Sequence, residues 1–138
     1  MFVTVEDYKS VIGATALNII TQADADNRQR TETIAIEEIS GYLRPKYDVA
    51  AIFAATGTNR NAQMVMITCD VVLYHLTASQ GQKMGMEIRQ QRYERAIKWL
   101  EGVQKGNIVP NLPIATGTGG EPATPIHFGS ETRHKQTW

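Results

Sequence analysis

Asn61-Ala62-Gln63-Met64-Val65-Met66-Ile67-Thr68-Cys69-Asp70-Val71-Val72-Leu73-Tyr74-His75-Leu76-Thr77-Ala78-Ser79 is the stretch that decides the fold. Asn61 suits a helix N-cap, because its side-chain oxygen can accept a backbone N–H of the first turn. From about Ala62 to Ser79, Met64, Ile67, Val71, Tyr74 and Ala78 make one face at helical spacing. Val65, Cys69, Val72, Leu73 and Leu76 cover much of the rest. A helix that is apolar nearly all round is buried, so this segment is predicted to be the central helix of an all-α domain.

Upstream, Thr4-Val5-Glu6-Asp7 reads as a capping box with Asp in the acidic position. It opens a short helix ending near Gly13, with Val5, Tyr8 and Ile12 toward a core. Ala14 to Thr21 forms another short helical turn, and Asp24 to Asn27 reads as loop and cap. The next helix runs from about Arg28 to Leu43. Ala35, Ile36, Ile39, Tyr42 and Leu43 share one face, with Thr33, Glu37, Ser40 and Arg44 opposite. Pro45 ends it, since proline disfavours helix in the residue before it. Tyr47 to Ala55 is predicted to be an irregular crossing against the core, and Thr56 to Arg60 an exposed loop.

Downstream of the central helix, Gly81 and Gly85 mark a turn. The last helix, about Met86 to Lys105, sets Met86, Tyr93, Ile97 and Leu100 on one stripe, with Trp99 well off it. The fold class is therefore all-α: a small bundle of about four helices over residues 1–105, followed by a long non-helical, partly extended arm over 106–138. That arm holds four of the five prolines. Residues 106–125, including the low-complexity Thr116-Gly117-Thr118-Gly119-Gly120, read as spacer. Residues 126–138 carry Ile126, Phe128, Arg133 and Trp138, a set of the kind found at interface hot spots. These four are predicted to dock on another subunit. Thr56, Thr58, Asn59 and Arg60 at a bundle end, and Trp99, are further candidate contacts.

Fourteen basic and fourteen acidic residues cancel, which argues against a protein whose main task is coating nucleic acid by phosphate neutralisation. Cys69 is alone, so neither an intramolecular disulfide nor a cysteine zinc cluster is expected. No run approaches the ~20 apolar residues of a membrane helix, and Met1 to Asp7 does not read as a signal peptide.

Candidate chemistry is thin. Asp24-Ala25-Asp26 could start a calcium loop, but the required glycine and bidentate carboxylate positions hold Gln29 and Ala35. Gly117-Thr118-Gly119-Gly120 lacks the Gly-Lys-Ser/Thr ending of a phosphate loop. His75 could act as a general base, yet Asp70 is five residues away and Cys69 six, so neither shares its face. A histidine hydrogen-bonded at a helix–helix seam is the plainer reading. His127 and His134 have no third ligand near them in sequence. Arg89, Arg92, Arg95 and Lys98 on the last helix could contact phosphates. The interspersed Glu87, Glu94 and Glu101 favour a solvated or partner-facing surface instead.

Four stretches together carry a family resemblance. Thr4-Val5-Glu6-Asp7-Tyr8 opens the first helix, and Ile39-Ser40-Gly41-Tyr42-Leu43-Arg44-Pro45-Lys46-Tyr47 closes the second long pattern. Cys69-Asp70-Val71-Val72-Leu73-Tyr74-His75-Leu76 lies in the central helix. Arg92-Tyr93-Glu94-Arg95-Ala96-Ile97-Lys98-Trp99-Leu100 precedes Gly106. In this order the chain resembles the small head–tail connector (adaptor, or head-completion) proteins of tailed bacteriophages, over residues 1–106. Ile126-His127-Phe128-Gly129-Ser130 with Arg133 resembles the C-terminal arm ending of some members. The Asp24-to-Arg30 loop departs from the glycine-rich acidic pattern of some relatives.

The resemblance implies a homo-oligomeric ring, of about twelve subunits, closed by head-to-tail contacts. That ring would lie in the virion between the portal protein and the tail or next connector, after assembly in the host cytoplasm. Genomic DNA would pass through it without sequence specificity. No cofactor, no metal and no enzymatic activity are implied. The alternative is a small DNA-binding helical regulator using the last helix; a small enzyme using His75 and Asp70 is the remaining rival.

Overall fold

A computed structural model describes residues 2–21, 25–79 and 85–116. Among these the fold is all-α: α1 (Val5–Ile12), α2 (Ala14–Ile20), α3 (Ala25–Leu43), α4 (Val49–Ala54), a single 3-10 turn (Gly57–Asn59), α5 (Ala62–Ala78) and α6 (Met86–Lys105). The helices α3, α5 and α6 pack on one another as the main body. α1 lies against α5, α2 against α1, and α4 against α3.

Helix boundaries follow local chemistry. Thr4 Oγ1 accepts the Asp7 N–H at 3.3 Å while Asp7 Oδ2 accepts the Thr4 N–H at 2.8 Å, the reciprocal capping box the sequence predicts. Asn61 Oδ1 accepts the Met64 N–H at 3.1 Å. At its far end, α6 stops in a Schellman arrangement. The Gly106 N–H reaches Val103 O at 3.1 Å and the Asn107 N–H reaches Gly102 O at 2.8 Å, with Gly106 at φ +85°. A side chain in that left-handed region costs an L-residue about 1–2 kcal/mol. A Cβ on Gly106 would also meet Lys46 Nζ at 3.0 Å. Gly106→Ala is therefore expected to lower stability by about 1–2 kcal/mol, read as a shifted urea midpoint at constant slope.

α5 is the centre, as its sequence predicts. Met64, Ile67, Val71, Val72, Leu73 and Leu76 are buried on it. They meet Ala35, Ile39 and Leu43 of α3 and Ala96, Leu100 and Val103 of α6 in one hydrophobic core. Ala78, expected on the apolar face, is exposed at the helix end.

Four expectations are corrected. There are six α-helices among the described residues rather than about four. The irregular crossing at Tyr47 to Ala55 is largely helical: α4 spans Val49–Ala54, started by Asp48, whose side chain accepts the Ala51 N–H at 3.1 Å. α3 begins at Ala25, earlier than Arg28. Ser40, placed on the outer face, is buried, and its hydroxyl is satisfied by donating to Ile36 O at 2.6 Å.

Residues 106–116 differ most from expectation. They begin the predicted spacer, yet they form a strap held against the body. Ile108 packs over Gly102, where an added Cβ would come within 2.7 Å of its Cδ1. Asn61 Nδ2 donates to Asn111 O at 3.1 Å, and Leu112 is buried. The Asp48 N–H donates to Pro113 O at 2.9 Å and the Ala115 N–H to Lys46 O at 3.0 Å, so that Tyr47 and Ile114 form an antiparallel bridge.

Candidate functional site

The N-terminal segment is fastened by two charged side chains. Arg60 Nη1 donates to Asp7 Oδ2 at 2.6 Å and to Phe2 O at 2.9 Å. Glu32, buried in α3, accepts the Val3 N–H at 3.2 Å and the Tyr8 hydroxyl at 2.9 Å. Burial and the adjacent Glu32 carboxylate raise the Tyr8 phenol well above its ordinary pKa. Thr56, Gly57, Thr58 and Asn59 are exposed as the sequence predicts. Arg60 is not part of that exposed rim: it turns inward to close the clamp.

Partial burial alone would raise the Asp7 carboxyl. The hydrogen bonds from Arg60 and Thr4 outweigh burial and hold it below the ordinary value. A carboxyl whose pKa is lower in the folded state stabilises the fold above its unfolded pKa, and that contribution is lost as pH falls through the folded value. Below about pH 4 the wild-type chain is expected to lose stability more steeply than Asp7→Asn, measured as urea midpoints along a pH series.

Between α1 and α5 lies an open groove of about 410 Å³, lined by Asp7, Ser10, Val11, Val65, Met66 and Cys69, with Arg92 at its edge. Cys69 is 1% exposed, and burial pushes its thiol up to about 12. It is a packed core thiol rather than a nucleophile.

The α5–α6 seam holds the predicted cationic residues, but not as one free face. Arg92 Nε donates to Asp70 Oδ1 at 2.7 Å, and Asp70 is only 6% exposed. Arg89 is 7% exposed, and among the described residues its Nη1 has no hydrogen-bond partner. Burial raises the Asp70 carboxyl, with Arg92 opposing. Burial also lowers the Arg89 guanidinium, Arg92 adding to that and Asp70 working against it. Arg95 and Lys98 alone of the four are exposed. Trp99, expected off the stripe, is half-buried against the core.

His75 sits at a helix seam, hydrogen-bonded across it. Its Nε2 lies 2.9 Å from Glu38 Oε2, and the Tyr93 hydroxyl donates to Glu38 Oε1 at 2.7 Å. Tyr74 stacks on Tyr93 with ring centroids 4.0 Å apart. One carboxylate thus joins α3, α5 and α6. His75 and Asp70 are not brought together: each has its own partner on a different helix. Glu38 and Glu32 escaped the sequence reading. Only the excess of acidic groups on a helix facing Tyr8, His75 and Tyr93 could have pointed to them.

Among the described residues no cluster of three or more His, Cys, Asp or Glu is placed to hold a metal ion. No helix there is long and apolar enough to cross a membrane. The predicted docking residues Ile126, Phe128, Arg133 and Trp138 lie outside the described residues, as do Asp24, His127 and His134.

Comparison with known families shows that this is a bacteriophage protein. Residues 2–125 match the family described as Bacteriophage Mu, Gp36. The chain belongs to that family. Among curated proteins none matches it.

Proposed function

We propose that the chain is a structural virion protein without enzymatic activity, a head–tail connector that forms a ring between portal and tail. The observation that carries this reading is the family match over residues 2–125, taken with the ordered resemblance to connector proteins across the same helices. Physical features support it. A body of this size has a limited core and gains from burial against neighbours. Equal numbers of acidic and basic residues suit a channel through which DNA passes without sticking.

In this reading Ile126, Phe128, Arg133 and Trp138 dock on another protein of the particle, and the exposed Thr56, Thr58 and Asn59 offer a second contact. The strap sharpens the reach of the arm. With 106–116 held on the body, residues 117–125 remain as spacer, spanning on the order of 30 Å if extended.

Native mass spectrometry and negative-stain imaging of the full chain, alone and with portals, test the proposal. Rings, or monomers that assemble on a portal, are expected, and deletion of residues 122–138 is expected to abolish attachment. Normal attachment by the deleted chain would overturn the docking role. A monomer that ignores portals but retards duplex DNA, with affinity falling steeply in salt, would instead favour the regulator.

A further inference from the structure

The strap leaves a stretch of strand edge unpaired at Ile114 among the described residues. Residues 113–115 run antiparallel to 46–48, with Pro113 O and the Ala115 N–H turned toward the body and bonded there. In an extended chain the residue between them directs its backbone groups the opposite way. The Ile114 N–H and C=O therefore face outward, and neither has a partner among the described residues. The Ile114 side chain is 56% exposed. An unpaired edge of this kind is a template for strand addition.

We propose that the outer edge at Ile114 receives the segment Ile126–Ser130 of a second copy of this chain, as an added antiparallel or parallel strand. The inference rests on the ring reading and names the contact that would link its subunits. Sequence beyond the strap favours this occupant. Residues 117–121 carry no apolar side chain, and Pro122 and Pro125 beyond them have no N–H to give. The first run beyond them that is proline-free and carries apolar side chains is Ile126-His127-Phe128-Gly129-Ser130, in which Ile126 and Phe128 share one strand face.

Geometry adds to this. The glycine-rich residues between strap and segment span on the order of 30 Å. That is close to the width of a domain of this length, so they reach the equivalent edge of a neighbour. Donor and acceptor are different surfaces of one chain. Such a contact is head-to-tail and closes into a ring by rotation, whereas a two-fold dimer uses one surface twice.

Ile114→Pro tests the edge in the full chain. It deletes the outward N–H alone; the inward bonds through Pro113 and Ala115 remain, and proline is tolerated on an edge strand. The expected result is an unchanged thermal midpoint with loss of oligomers in native mass spectrometry. Ala115→Pro removes the inward donor to Lys46 O and is expected to lower the midpoint, which separates strap stability from edge pairing.

Occupancy is read by mixing Ile114→Cys copies with mass-tagged Phe128→Cys copies under oxidising conditions. The native Cys69 is buried and does not compete. The expected product is a disulfide between an untagged and a tagged chain, and a chain carrying both substitutions serves to detect pairing within one copy. A disulfide found solely within doubly substituted single chains would overturn the inference, as would Ile114→Pro assembling like wild type. Either result leaves the ring reading standing. A wild-type chain that forms no oligomer, alone or on portals, overturns that reading itself.

Discussion

Asp70→Ala is expected to cost about 3–5 kcal/mol of folding stability, the range for removing one partner of a buried ion pair. Asp70 is 6% exposed and Arg89 7% exposed, while Arg92 holds the carboxylate at 2.7 Å. Removing Asp70 takes away the carboxylate that favours the charged forms of both Arg89 and Arg92 at the α5–α6 seam. Arg92 can turn toward water, since its side chain is 29% exposed; Arg89 has no such exit. The loss should therefore shrink when Asp70→Ala is made in an Arg89→Met background, by the coupling expected of residues in one charge network. Urea unfolding of the four chains of that cycle measures it. Equal losses in both backgrounds would show that Arg89 draws nothing from Asp70.

Leu100→Ala is expected to cost about 2–5 kcal/mol, by lost transfer energy plus the cavity left behind. Leu100 is fully buried, in the same core as Leu73 of α5 and Ile39 of α3. Three helices meet there, so no single one can close the gap without moving away from the others. Leu73→Ala should fall in the same range. Ile34 on α3 is 61% exposed, and Ile34→Ala should change stability by no more than about 0.5 kcal/mol. Urea midpoints at unchanged slope would separate the two cases. A small loss at Leu100 would mean the α3–α5–α6 core is not what holds the domain together.

Local signals were legible wherever they act within a few residues. The apolar run from Met64 to Leu76 marked the buried helix. The Thr4–Asp7 box and Asn61 marked helix starts, and Pro45 and Gly106 marked stops. α4 was missed because six residues give too little periodicity to read, although Asp48 before Val49-Ala50-Ala51 was the available signal. Arg89 and Ser40 were misplaced for another reason. Polar residues are read as outward-facing by default, but α5 brings Asp70 near Arg89, and the Ser40 hydroxyl is satisfied within its own helix by donating to Ile36 O.

The candidate contacts divide in the same way. Thr56, Thr58 and Asn59 are exposed because a short loop between α4 and α5 leaves them outside. Arg60 looks equivalent in sequence, but Asp7 and Phe2 O lie within its reach, 53 and 58 residues earlier. The strap shows the same limit. Prolines and glycines after Gly106 read as a linker, and nothing local says that Pro113 and Ala115 pair with Lys46 and Asp48.

The sequence by itself determined the all-α class, the central place of α5 and the bacteriophage family. Periodicity, capping and proline placement are short-range, and they are written in consecutive residues. Only the tertiary structure decided that Asp70 serves α6, that Glu38 joins three helices, and that residues 106–116 lie on the body with the outer edge of Ile114 open. Those pairings depend on how the helices cross, because a buried charge or an unpaired backbone group takes whichever partner the packing brings within about 3 Å.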